Sequence, residues 1–174
     1  LPLLKLLRGE EDIPNLVRKD GDGVQATAMD YVRTEQNAAE NYLSHLDEIF
    51  VGTADYFAPY IFIYTGQGCS MDCFYCAGAR ENQKRVFNRD CPYLRPVEVV
   101  RRDIAWAMRY TPMLMFDFDL PLYNSQTYYQ QLWSGFDLSQ HFVHFYFWKL
   151  PNADFIALVS ETFKYVYLNI DMCS

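Results

Sequence analysis

From Pro59 onward, short apolar runs rich in β-branched and aromatic residues alternate with runs of helical period, and this rhythm restricts the fold more than any other feature. Pro59 to Thr65, Met113 to Phe118, Phe142 to Trp148 and Tyr165 to Ile170 read as strands. Pro96 to Arg109, Ser125 to Ser134 and Asn152 to Phe163 read as helices; in the first, Val97, Val100, Ile104 and Ala107 share one face. Strands joined through helices run parallel, so the pattern predicts an α/β fold. An open doubly wound sheet and a partial (β/α) barrel both satisfy it. In either, ligands gather beyond the carboxyl ends of the strands.

Residues 1 to 57 follow a different rhythm and read as a leader, leaving 58 to 174 as the core. Leu16 to Lys19 and Val24 to Thr27 flank Asp20-Gly21-Asp22-Gly23, a turn signal between two short strands, which predicts a hairpin. Thr34 precedes a run from Glu35 to Phe50 in which Ala38, Tyr42, Leu46 and Ile49 recur at helical spacing. The chain opens without Met and stops at Ser174 directly after a strand-like run. It is therefore expected to be a piece of a longer one, its parallel core truncated after the fourth strand.

With 51% hydrophobic and 17% aromatic residues, the chain has ample material for a core. Its formal charge of -7 argues against binding a nucleic-acid backbone, which requires clustered Lys and Arg. A small molecule or a peptide is the expected substrate. No apolar run reaches the length of a membrane span, and Leu1 to Leu7 is too short for a signal peptide. The five cysteines are odd in number, and Cys69, Cys73 and Cys76 crowd into one stretch, unlike a disulfide framework. Metal binding in a reducing, cytoplasmic compartment is the expectation.

Those three cysteines lie in Gly66-Gln67-Gly68-Cys69-Ser70-Met71-Asp72-Cys73-Phe74-Tyr75-Cys76, with the spacing C-x-x-x-C-x-x-C. Soft thiolates suit iron-sulfur or zinc chemistry, and three of them can hold three irons of a cubane cluster while leaving the fourth open. A zinc site would be completed by Cys91 or a histidine. Such sites usually pair two knuckles, whereas Cys91 stands alone in Asp90-Cys91-Pro92. Cys91 and Cys173 read as ordinary cysteines.

With Tyr75 just before the last cysteine and a strand just before the loop, the segment resembles the cluster loop of the radical S-adenosylmethionine superfamily. The likeness runs from about Pro59 to the end, and Arg95-Pro96 followed by Val97-Glu98-Val99-Val100 resembles the opening of the helix after that loop. The resemblance implies a partial parallel (β/α) barrel of the radical SAM type carrying a 4Fe-4S cluster on Cys69, Cys73 and Cys76. It further implies that S-adenosylmethionine binds the open iron and is cleaved reductively to a 5'-deoxyadenosyl radical, which abstracts hydrogen from a substrate. A flavodoxin or ferredoxin would donate the electron. The segment Ile13-Pro14-Asn15-Leu16 is similar to the connector in the branch with an upstream cobalamin-binding domain, though no such domain lies in these residues.

Carried over by position, Tyr75 would meet the adenine. The family's Gly-Gly-Glu, whose carboxylate holds the methionyl amino group, is replaced here by Phe116-Asp117-Phe118-Asp119. Strand period puts Met113, Met115, Asp117 and Asp119 on one face with Asp119 nearest the rim, so Asp119 is preferred and Asp117 is its rival. Asp171 follows the fourth strand, where family members place a polar residue near the ribose. The competing view of Asp117 and Asp119 is a carboxylate pair ending a strand before a turn.

The same alternation predicts that Val143, Phe145 and Phe147 pack on helices while His144, Tyr146 and Trp148 face the interior. Val166, Leu168 and Ile170 would pack outward and Asn169 inward. His144 reads first as a core histidine, Tyr128, Tyr129 and Trp133 as core, and Arg80, Lys84, Arg85 and Arg89 as a solvated face. The contrasting function class is a non-catalytic, metal-stabilised binding module built on the same cysteines.

Overall fold

A computed structural model describes residues 2–28, 60–87, 92–116, 126–147 and 150–170. Residues 2–28 form a short helix, α1 (Pro2–Leu7), and an antiparallel hairpin of β1 (Val17–Asp20) and β2 (Gly23–Ala26). Gly21 takes a left-handed φ of 58° at the first position of the two-residue turn, as a type II′ turn requires. Across the hairpin, Arg18 Nε donates to Gln25 Oε1 at 2.9 Å. The helix expected between Glu35 and Phe50 lies outside the described residues.

The core follows as β3 (Ile61–Ile63), β4 (Gly66–Gln67), α2 (Arg80–Phe87), β5 (Tyr93–Leu94), α3 (Val97–Ala107), β6 (Met113–Phe116), α4 (Gln126–Trp133), β7 (Phe142–Phe147), α5 (Ala153–Thr162) and β8 (Tyr165–Ile170). Four strands form one parallel sheet in the order β3-β6-β7-β8, which is their order in the chain. The fold is thus α/β. Strands β3 and β8 are its outer members, so the sheet is open among the described residues. No helix among them is long and apolar enough to cross a membrane.

Helices α3, α4 and α5 pack on one face of this sheet. Ile63, Leu114, Phe116, Val143, Phe145 and Phe147 join Val100 and Ile104 of α3, Tyr129 and Leu132 of α4, and Phe155 and Val159 of α5 in a single core. The register aligns Ile63 with Phe116 and Phe116 with Phe145, so alternate residues of neighbouring strands point the same way. The rings of Phe116 and Phe145 stack at 5.2 Å, and Tyr129 meets both edge-on. A doubly wound sheet would divide its helices between two faces, and its strand order would reverse. Among the described residues neither happens.

Local sequence explains the helix ends. Val97, Val99 and Val100 are poor helix formers, so α3 depends on burying Val100, Ile104 and Ala107 rather than on propensity. Gly135 leaves α4 at a φ of 77°, and Arg101 Nη1 of α3 lies 2.9, 3.0 and 2.6 Å from the carbonyls of Gln131, Leu132 and Ser134. One arginine thus satisfies the free carbonyls at the end of α4 and ties it to α3. In α5, Asn152 Oδ1 accepts from Phe155 N at 2.8 Å, a side-chain N-cap. Asn152→Ala is expected to cost about 1 kcal/mol and Asn152→Asp much less, as read from urea unfolding midpoints.

Candidate metal centre

The cysteine loop leaves the sheet at the carboxyl end of β3. Thr65 and the two residues of β4 follow, and β4 pairs antiparallel with β5, Gly66 opposite Leu94 and Gln67 opposite Tyr93. Arg95 N extends the pairing by donating to Thr65 O at 2.8 Å. Both ends of the segment 68–92 are therefore held at one place.

A buried polar network secures this base. The Arg95 guanidinium donates to Tyr64 O at 2.6 Å and pairs with Asp103 of α3 at 2.8 Å; the two side chains are 6% and 1% exposed. The Tyr128 hydroxyl of α4 lies 2.8 Å from Arg95 O and 3.2 Å from Thr65 O. Two helices thereby grip the chain on either side of the loop. A buried charge persists in a core only when paired and hydrogen-bonded, and Arg95 meets both conditions.

Beyond the base, Gly68 has a φ of 93°, a conformation that side chains with a Cβ rarely adopt, and it turns the chain into Cys69. Met71 N donates to Cys69 Sγ at 3.3 Å, and Gly78 N donates to Cys76 Sγ at 3.3 Å. Cys76 N donates to Cys73 O at 3.1 Å, closing a turn between the second and third cysteines. Asp72 then fastens the loop to α2, with Oδ1 accepting from Glu81 N at 2.9 Å and Oδ2 pairing with Arg80 at 2.8 Å. A carboxylate there satisfies a free N–H and faces the positive end of the helix dipole. Arg80, expected on a solvated face, is half-exposed but has this defined partner.

Cys69 and Cys73 are half-buried and Cys76 is exposed. Tyr75 stands out at 71% exposure beside Phe74 at 95%, their rings 5.3 Å apart and edge-to-face. Among the described residues, no three His, Cys, Asp or Glu side chains converge closely enough to hold a metal ion. The donor set nevertheless fits a thiophilic metal or cluster. Three sulfurs share one loop, two of them accept backbone N–H bonds of the kind that stabilise anionic sulfur, and Asp72, the one carboxylate between Cys69 and Cys76, is engaged by α2. Loading would have to draw the three sulfurs together.

Asp117, Asp119 and Asp171 lie outside the described residues, as do Cys91, Cys173 and Trp148. The strand leading to the first two ends at Phe116, with Leu114 and Phe116 in the helix-covered core and Met115 on the opposite face. The predicted alternation holds on β7, where Val143, Phe145 and Phe147 are buried and His144 and Tyr146 are on the other side. On β8, Val166 and Leu168 pack against the core, and Asn169 alternates with them. Burial pushes the pKa of His144 below its ordinary value, and a hydrogen bond donated by the ring to the Asn169 side chain opposes that shift.

Two open pockets of about 410 and 470 Å³ lie elsewhere, the first lined in part by Trp133, Asp137 and Glu161 and the second by Val97, Arg101 and Gln131. Neither includes a residue of the cysteine loop. The residues that sequence reasoning passed over are Asp72, Arg95, Asp103 and Tyr128, which position the loop. Asp103 carried a signal: it falls on the buried face of α3 between Val100 and Ile104, a place where an acid needs a partner. No protein-family model, no curated protein and no solved structure matches the chain.

Proposed function

We propose that this chain is the core of a radical S-adenosylmethionine enzyme, holding a 4Fe-4S cluster on Cys69, Cys73 and Cys76 and acting on a small molecule or peptide. The observation that carries the reading is a C-x-x-x-C-x-x-C loop clamped at the carboxyl end of the first strand of a parallel sheet, with N–H donors on two of its sulfurs. Sequential strand order with α3, α4 and α5 on one face is the winding that a (β/α) barrel repeats, and it supports the partial-barrel reading.

When bound, the cluster and S-adenosylmethionine supply a one-electron cleavage that generates a 5'-deoxyadenosyl radical, the electron coming from a flavodoxin or ferredoxin. The protein's part is to place and shield. Cys69, Cys73 and Cys76 hold the irons; Arg95, Asp103 and Tyr128 fix the loop's base to α3 and α4. Tyr75 offers an exposed ring to the adenine. Asp119 would accept hydrogen bonds from the methionyl ammonium, with Asp117 as its rival, and Asp171 would serve the ribose.

Anaerobic reconstitution with iron and sulfide tests the reading. About four irons and four sulfides per chain are expected, because three cysteine ligands and one open iron make up one cubane. Stoichiometric zinc without iron-sulfur would instead establish the non-catalytic, metal-stabilised module. On loaded protein, Asp119→Asn is expected to weaken S-adenosylmethionine binding about tenfold while leaving the iron content unchanged, since a charge-assisted hydrogen bond is lost and no iron ligand is touched. A larger loss from Asp117→Asn would move the role back along the strand; no loss from either would remove both.

A further inference from the structure

Loading a metal requires Cys69, Cys73 and Cys76 to converge, and the stretch that carries the last two is bonded to α2 at both ends. Ahead of Cys73, Met71 O accepts from Arg80 N at 3.0 Å. The Asp72 carboxylate accepts from Glu81 N at 2.9 Å and from Arg80 Nη2 at 2.8 Å. At the far end, Cys76 O accepts from Asn82 Nδ2 at 2.8 Å and from Ala79 N at 3.1 Å. None of these bonds uses a sulfur, so the ties and a bound metal are compatible.

Helix α2 draws little stability from its own sequence. Six of its eight residues are polar, and Glu81, Lys84, Arg85 and Val86 are exposed. Isolated helices shorter than about 12–15 residues are marginal in water. The first N–H groups of a helix have no partner within it, and here the loop supplies acceptors for Arg80 N and Glu81 N. The order of α2 is therefore tied to the order of the loop.

We infer that α2 is a metal-responsive element: a thiophilic ion bound by Cys69, Cys73 and Cys76 stabilises α2, and Asp72 is the positioning residue that couples the two. The ion orders residues 71–77, and the ordered loop holds the first turn of the helix. Coupling of this kind is reciprocal, so a change that weakens α2 also weakens the ion, by lowering the fraction of chains ready to bind it. The inference takes its three ligands from the proposed function and needs neither iron nor S-adenosylmethionine.

The test titrates the metal-free full chain with Cd²⁺, follows cadmium-thiolate absorbance, and reads amide hydrogen exchange in α2 against α5. Saturating Cd²⁺ is expected to slow exchange in α2 at least about tenfold and to leave α5 unchanged. Asp72→Ala is expected to weaken Cd²⁺ about tenfold and to speed α2 exchange in the metal-free protein. Asp72→Asn keeps an acceptor for Glu81 N and is expected to weaken the ion no more than about threefold. The decisive pair of variants is at Lys84, an exposed position of α2 outside the cysteine loop. Lys84→Gly is expected to weaken Cd²⁺ about fivefold, the helix penalty of Gly relative to Ala, whereas Lys84→Ala leaves it unchanged. Equal affinity in these two variants, or Cd²⁺ binding with no change in α2 exchange, would overturn the inference and leave the ligands standing. No Cd²⁺ binding would remove the ligand set and the inference together. Failed iron-sulfur assembly beside coupled Cd²⁺ binding would remove the radical chemistry alone.

Discussion

Ala at Cys69, Cys73 or Cys76, one position at a time, is expected to take iron and sulfide from about four each per chain to near zero. Each removes one of three protein ligands, and a cubane held by two has no third anchor on this loop. Cys91→Ala is expected to leave loading unchanged. The same three variants are expected to shift the unfolding free energy of the metal-free protein by no more than about 0.5 kcal/mol, because none of the sulfurs belongs to the core. Loading measured by iron and sulfide analysis, beside urea unfolding of metal-free samples, checks both halves. Retained cluster in any single variant would reassign the ligands; loss on Cys91→Ala would bring that residue into the set.

The second large effect belongs to the buried pair. Asp103→Ala removes the carboxylate paired with the Arg95 guanidinium, which is 6% exposed, and removing one partner of such a pair costs about 3–5 kcal/mol. The urea midpoint is expected to fall accordingly. Replacing both partners, as in Arg95→Met with Asp103→Leu, is expected to recover much of the loss, since the stranded charge is then absent. Recovery of stability need not restore loading. The hydrogen bond from Arg95 to Tyr64 O goes with the guanidinium, so the double variant is expected to fold yet assemble the cluster less completely. A fully loaded double variant would show that the pair serves the core alone.

Period and composition revealed the parallel core because its elements are long enough to repeat. Tyr165–Ile170 has the bounds expected for it, and Val143, Phe145 and Phe147 alternate as a half-covered strand should. Val100, Ile104 and Ala107 are fully buried on α3 as their spacing requires. That α3, α4 and α5 share one face was not legible, because the face a helix takes depends on crossovers that no residue pattern encodes. The clamp escaped for another reason. Gly66–Gln67 and Tyr93–Leu94 are two residues each, too short for any period, and they meet across a long interval of sequence. Arg95 looked like the approach to a helix, and its partner Asp103 became meaningful only once α3 lay against the sheet. At the site, spacing identified the cysteines but not Asp72, whose part depends on where α2 begins.

Because β4 and β5 fasten residues 68–92 at a single doorway, that segment can be treated as a graft on a finished scaffold. Closing such a loop costs entropy that grows only slowly with length, about 0.6 kcal/mol per doubling, so insertions beyond the doorway are tolerated without disturbing strand register. On the proposed function, metal would arrive at, and leave from, an appendage rather than a keystone. Loss of the proposed cluster with its three cysteines intact is expected to leave the stacked aromatic rings behind the loop folded, so that the same protein can be loaded again.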